Sequence, residues 1–242
     1  MLFYLKFKVI CIIVIAGDKM GKVNTEIAKG IKRIFPPYFK EELFNCITHG
    51  IMSFITLLLI PACAVYSYIK GGIVQAIGVS VFMICIFLMF LVSTLYHAME
   101  HDSPHKQVFR ILDHIFIYFA IAGSYTPAAL CLIKGYQGII ILVIQWTMVL
   151  IGILYKSLSI KSLPKLSLTI YLVMGWTAVL FLPSLIKNSS TMFMVLIVAG
   201  GILYSIGAFF YANKKIPYNH VIWHIFISLA SILHFIAIVF YI

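Results

Sequence analysis

Asn219-His-Val-Ile-Trp-His224-Ile-Phe-Ile-Ser-Leu-Ala-Ser-Ile-Leu-His234-Phe-Ile-Ala-Ile-Val-Phe-Tyr241 runs from end to end without an Asp, Glu, Lys or Arg. A helix needs about 20 predominantly apolar residues to cross the hydrocarbon core of a bilayer, so this stretch reads as a membrane span. Working outward from it, similar stretches occur at about 47–69, 73–97, 111–133, 137–156, 166–186 and 191–212, with the last at 219–241. Lys70-Gly-Gly, Lys134-Gly and Lys187-Asn-Ser-Ser mark one set of connectors, while Pro104, Pro164 and Pro217 mark the other, where a helix should stop. With 63% hydrophobic and 10% charged residues and a mean hydropathy of +1.08, a soluble domain of ordinary composition is excluded. The expected fold class is an all-α membrane protein, a seven-transmembrane helix bundle.

The net charge of +11 does not point to nucleic acid, because the cations sit singly between apolar runs rather than on one basic face. Their distribution fits topology instead, since cytoplasmic loops are enriched in Lys and Arg. Residues 1–46 carry eight cations, and Lys106, Arg110, Lys156, Lys161, Lys165, Lys214 and Lys215 fall on the same side of the bundle. The other side has only Lys70, Lys134 and Lys187. The expected N-terminus is therefore cytoplasmic and the C-terminus outside.

Residues 1–40 read as a basic N-terminal tail and residues 41–242 as one seven-helix transmembrane domain. The apolar stretch 2–16 contains Lys6 and Lys8 and is short for a crossing. Ala16-Gly17 is a weak signal-peptide cue; the preferred reading is an upstream extension, or an interfacial segment, before a natural start at Met20. Pro61 and Pro127 should kink spans one and three, and Gly200, Gly201, Ser205 and Gly207 give span six a small-residue face for close packing. Cys11, Cys46, Cys63, Cys85 and Cys131 are odd in number and lack any C-x-x-C spacing, so they read as packed thiols.

With this topology the polar residues gather near the cytoplasmic leaflet. His220 and His224 open span seven on one helix face, about 6 Å apart at Cβ. His97 closes span two with Ser93 one turn deeper, Asp113 and His114 open span three, and Glu42, Asn45, Thr48 and His49 open span one. Ionisable groups at membrane depth are costly and are functional candidates by default. Three neutral imidazoles with water in a fourth position make a catalytic-type zinc site, so His97, His220 and His224 are the expected ligands and Zn2+ the expected cofactor. In that scheme Asp113 orients or deprotonates the water, and Ser93 holds the water or a substrate oxygen. No Asp or Glu follows Asp113, so a carboxylate serving His220 and His224 must come from the first half of the chain. The competing readings are an interhelical hydrogen-bond network for the three histidines, and an ion pair with Arg110 for Asp113. His234 lies about 15 Å beyond His224 and should serve the bundle rather than the same ion.

Glu42-x-x-Asn45-x-x-Thr48-His49-Gly50, Ser93-x-x-x-His97, Leu112-Asp113 with Gly123-Ser-Tyr-Thr-Pro127, and His220-x-x-x-His224 with His234-Phe235 together resemble the hemolysin III proteins, the bacterial branch of the progestin and adipoQ receptor group. The resemblance covers about residues 41–242. It implies seven helices with a cytoplasmic N-terminus, zinc on the histidines matching His97, His220 and His224, and a water between the metal and the residue matching Asp113. It also implies a location in the bacterial plasma membrane, contact with membrane lipids, and kinship with alkaline ceramidases. Two functions follow as expectations: a zinc-dependent hydrolase of a lipid amide or ester, or a non-catalytic lytic or membrane-homeostasis protein with structural zinc. A lytic pore would need a polar lumen through the outer leaflet, and spans four to six offer few polar residues, among them Gln145, Thr147, Thr169 and Thr177.

Overall fold

The computed structural model describes residues 38–158 and 163–242; residues 1–37 of the basic tail, on which the expected start at Met20 and Cys11 fall, and Lys161 lie outside the described residues. Every regular element among the described residues is helical. The first helical run, Tyr38–Ala98, is 61 residues long. As one straight helix it would measure about 90 Å, some three times the hydrocarbon thickness. It is broken at Gly71 (φ −141°, ψ 15°) and Gly72 (φ 74°, ψ −166°), and the positive φ of Gly72 is one that a residue with a Cβ adopts only under strain. The halves, α1 (38–70) and α2 (73–98), fold back on each other. His49 meets Phe90 edge-on at 5.0 Å, and His97 reaches Glu42 at 3.0 Å.

The elements that follow are α3 (Pro104–Ala128, continued by a π-helical turn Ala129–Ile133), α4 (Gly135–Leu158), α5 (Pro164–Trp176), α6 (Leu182–Asn188), α7 (Thr191–Ala212) and α8 (Asn219–Tyr241). Among the described residues, six helices, counting Phe39–Ala98 and Lys165–Asn188 as one each, are long and apolar enough to cross a membrane. α3 starts well before the apolar stretch at 111 because Ser103-Pro104 is a strong helix start. The Ser103 hydroxyl accepts from the Lys106 backbone N–H at 3.2 Å, and proline suits the first helical position.

α1 shows how burial is inverted in lipid. Asn45, His49, Ser53, Thr56, Cys63 and Ser67 recur at helical spacings of three, four or seven residues and are buried, while Phe54, Leu58 and Val65 face outward. The polar stripe therefore faces the bundle interior, where His49 meets both α2 and α8, and Val79, Phe82, Met83 and Phe90 of α2 are fully enclosed. The glycines of α7 allow close approach to α8. A Cβ on Gly200 would run into the His234 ring, and one on Gly207 would come within 2.9 Å of Phe226.

The stretch expected as one continuous span at 166–186 is interrupted. α5 passes through a 3₁₀ segment, Thr177–Phe181, before α6 resumes. Pro183 lacks an N–H and its ring displaces the carbonyl one turn back, so the α-helical ladder cannot run through it. The Tyr125 hydroxyl fills the gap, donating to Gly175 O at 2.6 Å and accepting from Ala178 N at 2.9 Å. Tyr125, Trp176, Tyr204 and His234 line an apolar cavity of about 190 Å³ among α3, α5, α7 and α8. His234 Nε2 lies 3.2 Å from Ile197 O.

Candidate metal centre

α2 ends, and α8 begins, at the same point of the bundle. His220 and His224 occupy the first turns of α8 and His97 the last turn of α2. One ring nitrogen from each of the three lies within 4.8 Å of the others. Ring centroids are 5.2 Å apart for His97 and His220, 5.0 Å for His97 and His224, and 4.7 Å for His220 and His224. His97 is 6% and His224 1% exposed, and His220 is half-buried.

The hydrogen bonding of these rings bears on whether they could hold a metal or form an interhelical network. His97 Nε2, His220 Nε2 and His224 Nδ1 are buried without a hydrogen-bond partner. A buried polar atom left unpaired costs roughly 1–3 kcal/mol, and a network would have paired the nitrogens with one another. Three orphaned imidazole nitrogens converging on one point can instead hold a metal ion, and neutral imidazole suits the divalent transition metals.

His97 is oriented from behind. Its Nδ1 lies 3.0 Å from Glu42 Oε2. An ionised carboxylate only accepts, so Nδ1 carries the proton and the Nε2 lone pair is left facing the cluster. The same Oε2 accepts from Lys106 Nζ at 2.8 Å. Sequence reasoning placed Glu42 among the polar residues that open span one and Lys106 among the topological cations, and gave neither a role behind His97. The sequence signals for Glu42 were its place among the polar residues that open span one and its position at the head of the Glu42-x-x-Asn45-x-x-Thr48-His49-Gly50 motif.

His49 was expected at the right level but not in contact. It stacks face to face on His224, with centroids 3.6 Å apart and planes within 6°, and neither of its buried ring nitrogens has a hydrogen-bond partner. Ser93 is buried one turn from His97 with its hydroxyl unpartnered. Asp113 is buried but is not in the group of converging ligand atoms. It lies 3.7 Å from His114 Nδ1, and no ion pair joins it to Arg110. Tyr96 and Tyr211 lie within electrostatic reach of Asp113. They pack on the rings of His97 and His220 at 4.6 and 5.6 Å.

The family described as Haemolysin-III related matches residues 38–235, which hold every residue of this site. The chain is 36% identical over 205 residues to Hemolysin-3 of Bacillus cereus, covering 85% of this chain and 93% of the relative. It is 38% identical over 202 residues to the Hemolysin-3 homolog of Bacillus subtilis (strain 168), covering 84% and 94%. The monocyte to macrophage differentiation factor of Homo sapiens is 27% identical over 209 residues, covering 84% and 85%. The membrane-length helices of this chain and its bacterial relatives make it a multi-span protein of the bacterial cell membrane. Because the matched region carries nearly the whole bundle and both the His97 and the His220/His224 ends of the site, the chain belongs to the haemolysin-III-related family.

Proposed function

We propose that this protein crosses the membrane seven times with its N-terminus in the cytoplasm, holds one zinc ion on His97, His220 and His224, and hydrolyses a lipid amide or ester drawn from the cytoplasmic leaflet. The observation that carries the reading is the convergence of three buried, unpartnered imidazole nitrogens, one of them oriented by a carboxylate. The break at Gly71 and Gly72 supports counting α1 and α2 as separate crossings, and the cation imbalance supports the orientation.

Zinc in such a site would supply Lewis-acid polarisation of a carbonyl and a lowered water pKa. The protein's own groups take the remaining tasks. Ser93 Oγ, buried and unpartnered, is a hydrogen-bond donor for a substrate or water oxygen. Asp113 is the proton acceptor, being the buried carboxylate on α3 while Glu42 is committed to His97 and Lys106. The exposed apolar faces of α1 and α4 to α8 meet the membrane lipids from which the substrate would enter. A second reading, a non-catalytic lytic or membrane-homeostasis protein with structural metal, is favoured by the way Glu42, His97 and Lys106 tie together the ends of α1, α2 and α3. Pore-type lysis has less support, since Gln145 is buried and donates to Met174 O rather than facing a lumen.

The test measures bound zinc and fatty-acid release from ceramides, acyl amides and phospholipid esters, using purified protein in lipid. Wild type should hold one zinc per chain, and alanine at His97, His220 or His224 should each remove most of it. Asp113→Asn should keep the zinc and lose turnover by roughly 10²-fold or more, the usual scale of general-base catalysis. Full zinc in a His220→Ala, His224→Ala double variant would sink the metal assignment. A wild type inert across the panel, while Asp113→Asn still fails to restore a deletion phenotype, would hand the function to the non-catalytic reading.

A further inference from the structure

Lys106 is in the wrong place for a cation whose only task is topology. Its side chain is 7% exposed, and it stands in the first turn of α3, where the positive end of the helix dipole disfavours it. Burying an ammonium and opposing a helix dipole both cost stability, so a cation serving only the positive-inside rule would extend into water. Lys106 instead turns inward to three groups. It donates to Glu42 Oε2 at 2.8 Å and to Met99 O at 3.2 Å, and it lies 5.1 Å from the centroid of the Tyr96 ring.

The oxygen that Lys106 binds is the one that receives His97 Nδ1. Glu42 has three side-chain torsions and is 23% exposed, so without a second tether its carboxylate can turn out to water. Lys106 comes from α3, Glu42 from α1 and His97 from α2, so the one oxygen is fixed from two directions. We infer that Lys106 is a positioning residue for the metal centre: it pins Glu42 Oε2 behind His97 and thereby holds the His97 ring, with Nε2 aimed at its two partners on α8. The inference rests on the three histidines being a metal site. It adds an outer residue that touches neither the ion nor a substrate.

A double-mutant cycle on the full chain in lipid nanodiscs tests it, with zinc affinity read by chelator competition and ligand geometry by the visible spectrum after Co2+ substitution. Outer partners of metal-binding histidines are worth 10–100-fold in affinity. Lys106→Met and Glu42→Gln should each weaken zinc binding by about tenfold or more and shift the cobalt bands. Because Lys106 acts through Glu42, Lys106→Met added to Glu42→Gln should cost little more. Lys106→Arg, which keeps the charge, should recover most of the affinity, and Lys106→Gln should not. These two variants decide the matter if Lys106→Met does not fold. Losses that multiply in the double variant, or wild-type affinity and spectrum in Lys106→Gln, overturn the inference while leaving a histidine-dependent zinc site in place. If wild type binds no zinc, or keeps it after alanine at His220 and His224, the metal reading has failed and the inference falls with it.

Discussion

Replacing Tyr125 by Phe removes one oxygen atom and asks what holds the break between α5 and α6 open. The hydroxyl sits between Gly175 O, to which it donates at 2.6 Å, and Ala178 N, from which it accepts at 2.9 Å. Those two backbone groups are three residues apart and would bond each other directly in 3₁₀ geometry. The tyrosine is therefore a wedge in the helical ladder, one of the known causes of a helix bend. Two limits bound the cost. If the backbone cannot close, a donor and an acceptor are left unpaired in apolar surroundings, at about 1–3 kcal/mol each. If it closes, only the net worth of side-chain hydrogen bonding is lost, which between membrane helices is about 0.6–1.7 kcal/mol. Nothing lies within 4 Å of the Cβ position of Gly175, and Thr177–Phe181 is already 3₁₀, so the backbone has room to close. The expected loss is about 1–2 kcal/mol, which at roughly 2–4 °C per kcal/mol for a chain of this size lowers Tm by about 2–8 °C. The assay is thermal unfolding of the full chain in nanodiscs, followed by tryptophan fluorescence, with zinc content measured alongside. An unchanged Tm would refute the wedge. Loss of zinc would refute its separation from the metal centre.

The remaining expectations concern the centre, the α7 packing and the topology. Zinc affinity should fall on acidification, because protons compete with the metal for the imidazole nitrogens, and alanine at His101 or His105 should leave zinc binding unmoved; an affinity that never falls as acid is added would speak against histidine ligation. Ser93→Ala should keep zinc and cost about 1 kcal/mol in turnover, the worth of one hydrogen bond that water can replace. Gly200→Ala should destabilise by about 1–3 kcal/mol because its Cβ meets the His234 ring, whereas Gly201→Ala, 3.6 Å from Trp176, should be nearly neutral in thermal unfolding. Cysteine labelling should find positions near Lys70, Lys134, Lys187 and Ile242 outside and those near Lys106 and Lys214 inside; labelling of both Lys70 and Lys106 from one side would remove a crossing.

What the sequence made legible follows from how local each physical constraint is. A bilayer requires about 20 apolar residues in one run and leaves a helix no other place for its backbone groups, so Asn219–Tyr241 could be read as a span with no knowledge of its neighbours. His220 and His224 were equally plain, since four residues place two side chains on one helix face whatever surrounds them. His97 required only that two span ends meet at the same leaflet. Glu42 and Lys106 are different in kind. They are 64 residues apart on α1 and α3, and no periodicity within either helix says that the two helices converge behind His97. A rule that is right on average hid the contact, because counting Lys106 toward orientation treats it as solvated, whereas its ammonium is buried. The break in the fourth membrane-length helix lies in a stretch that the sequence presents as one continuous span, and the oxygen that occupies it comes from Tyr125, 50 residues earlier. The histidines could thus be located from spacing alone, while the groups that orient them and shape the cavity wall depend on which helices are neighbours. The charge and hydroxyl variants at Lys106 and Tyr125 therefore test the helix arrangement itself, whereas alanine at the histidines tests only their chemistry.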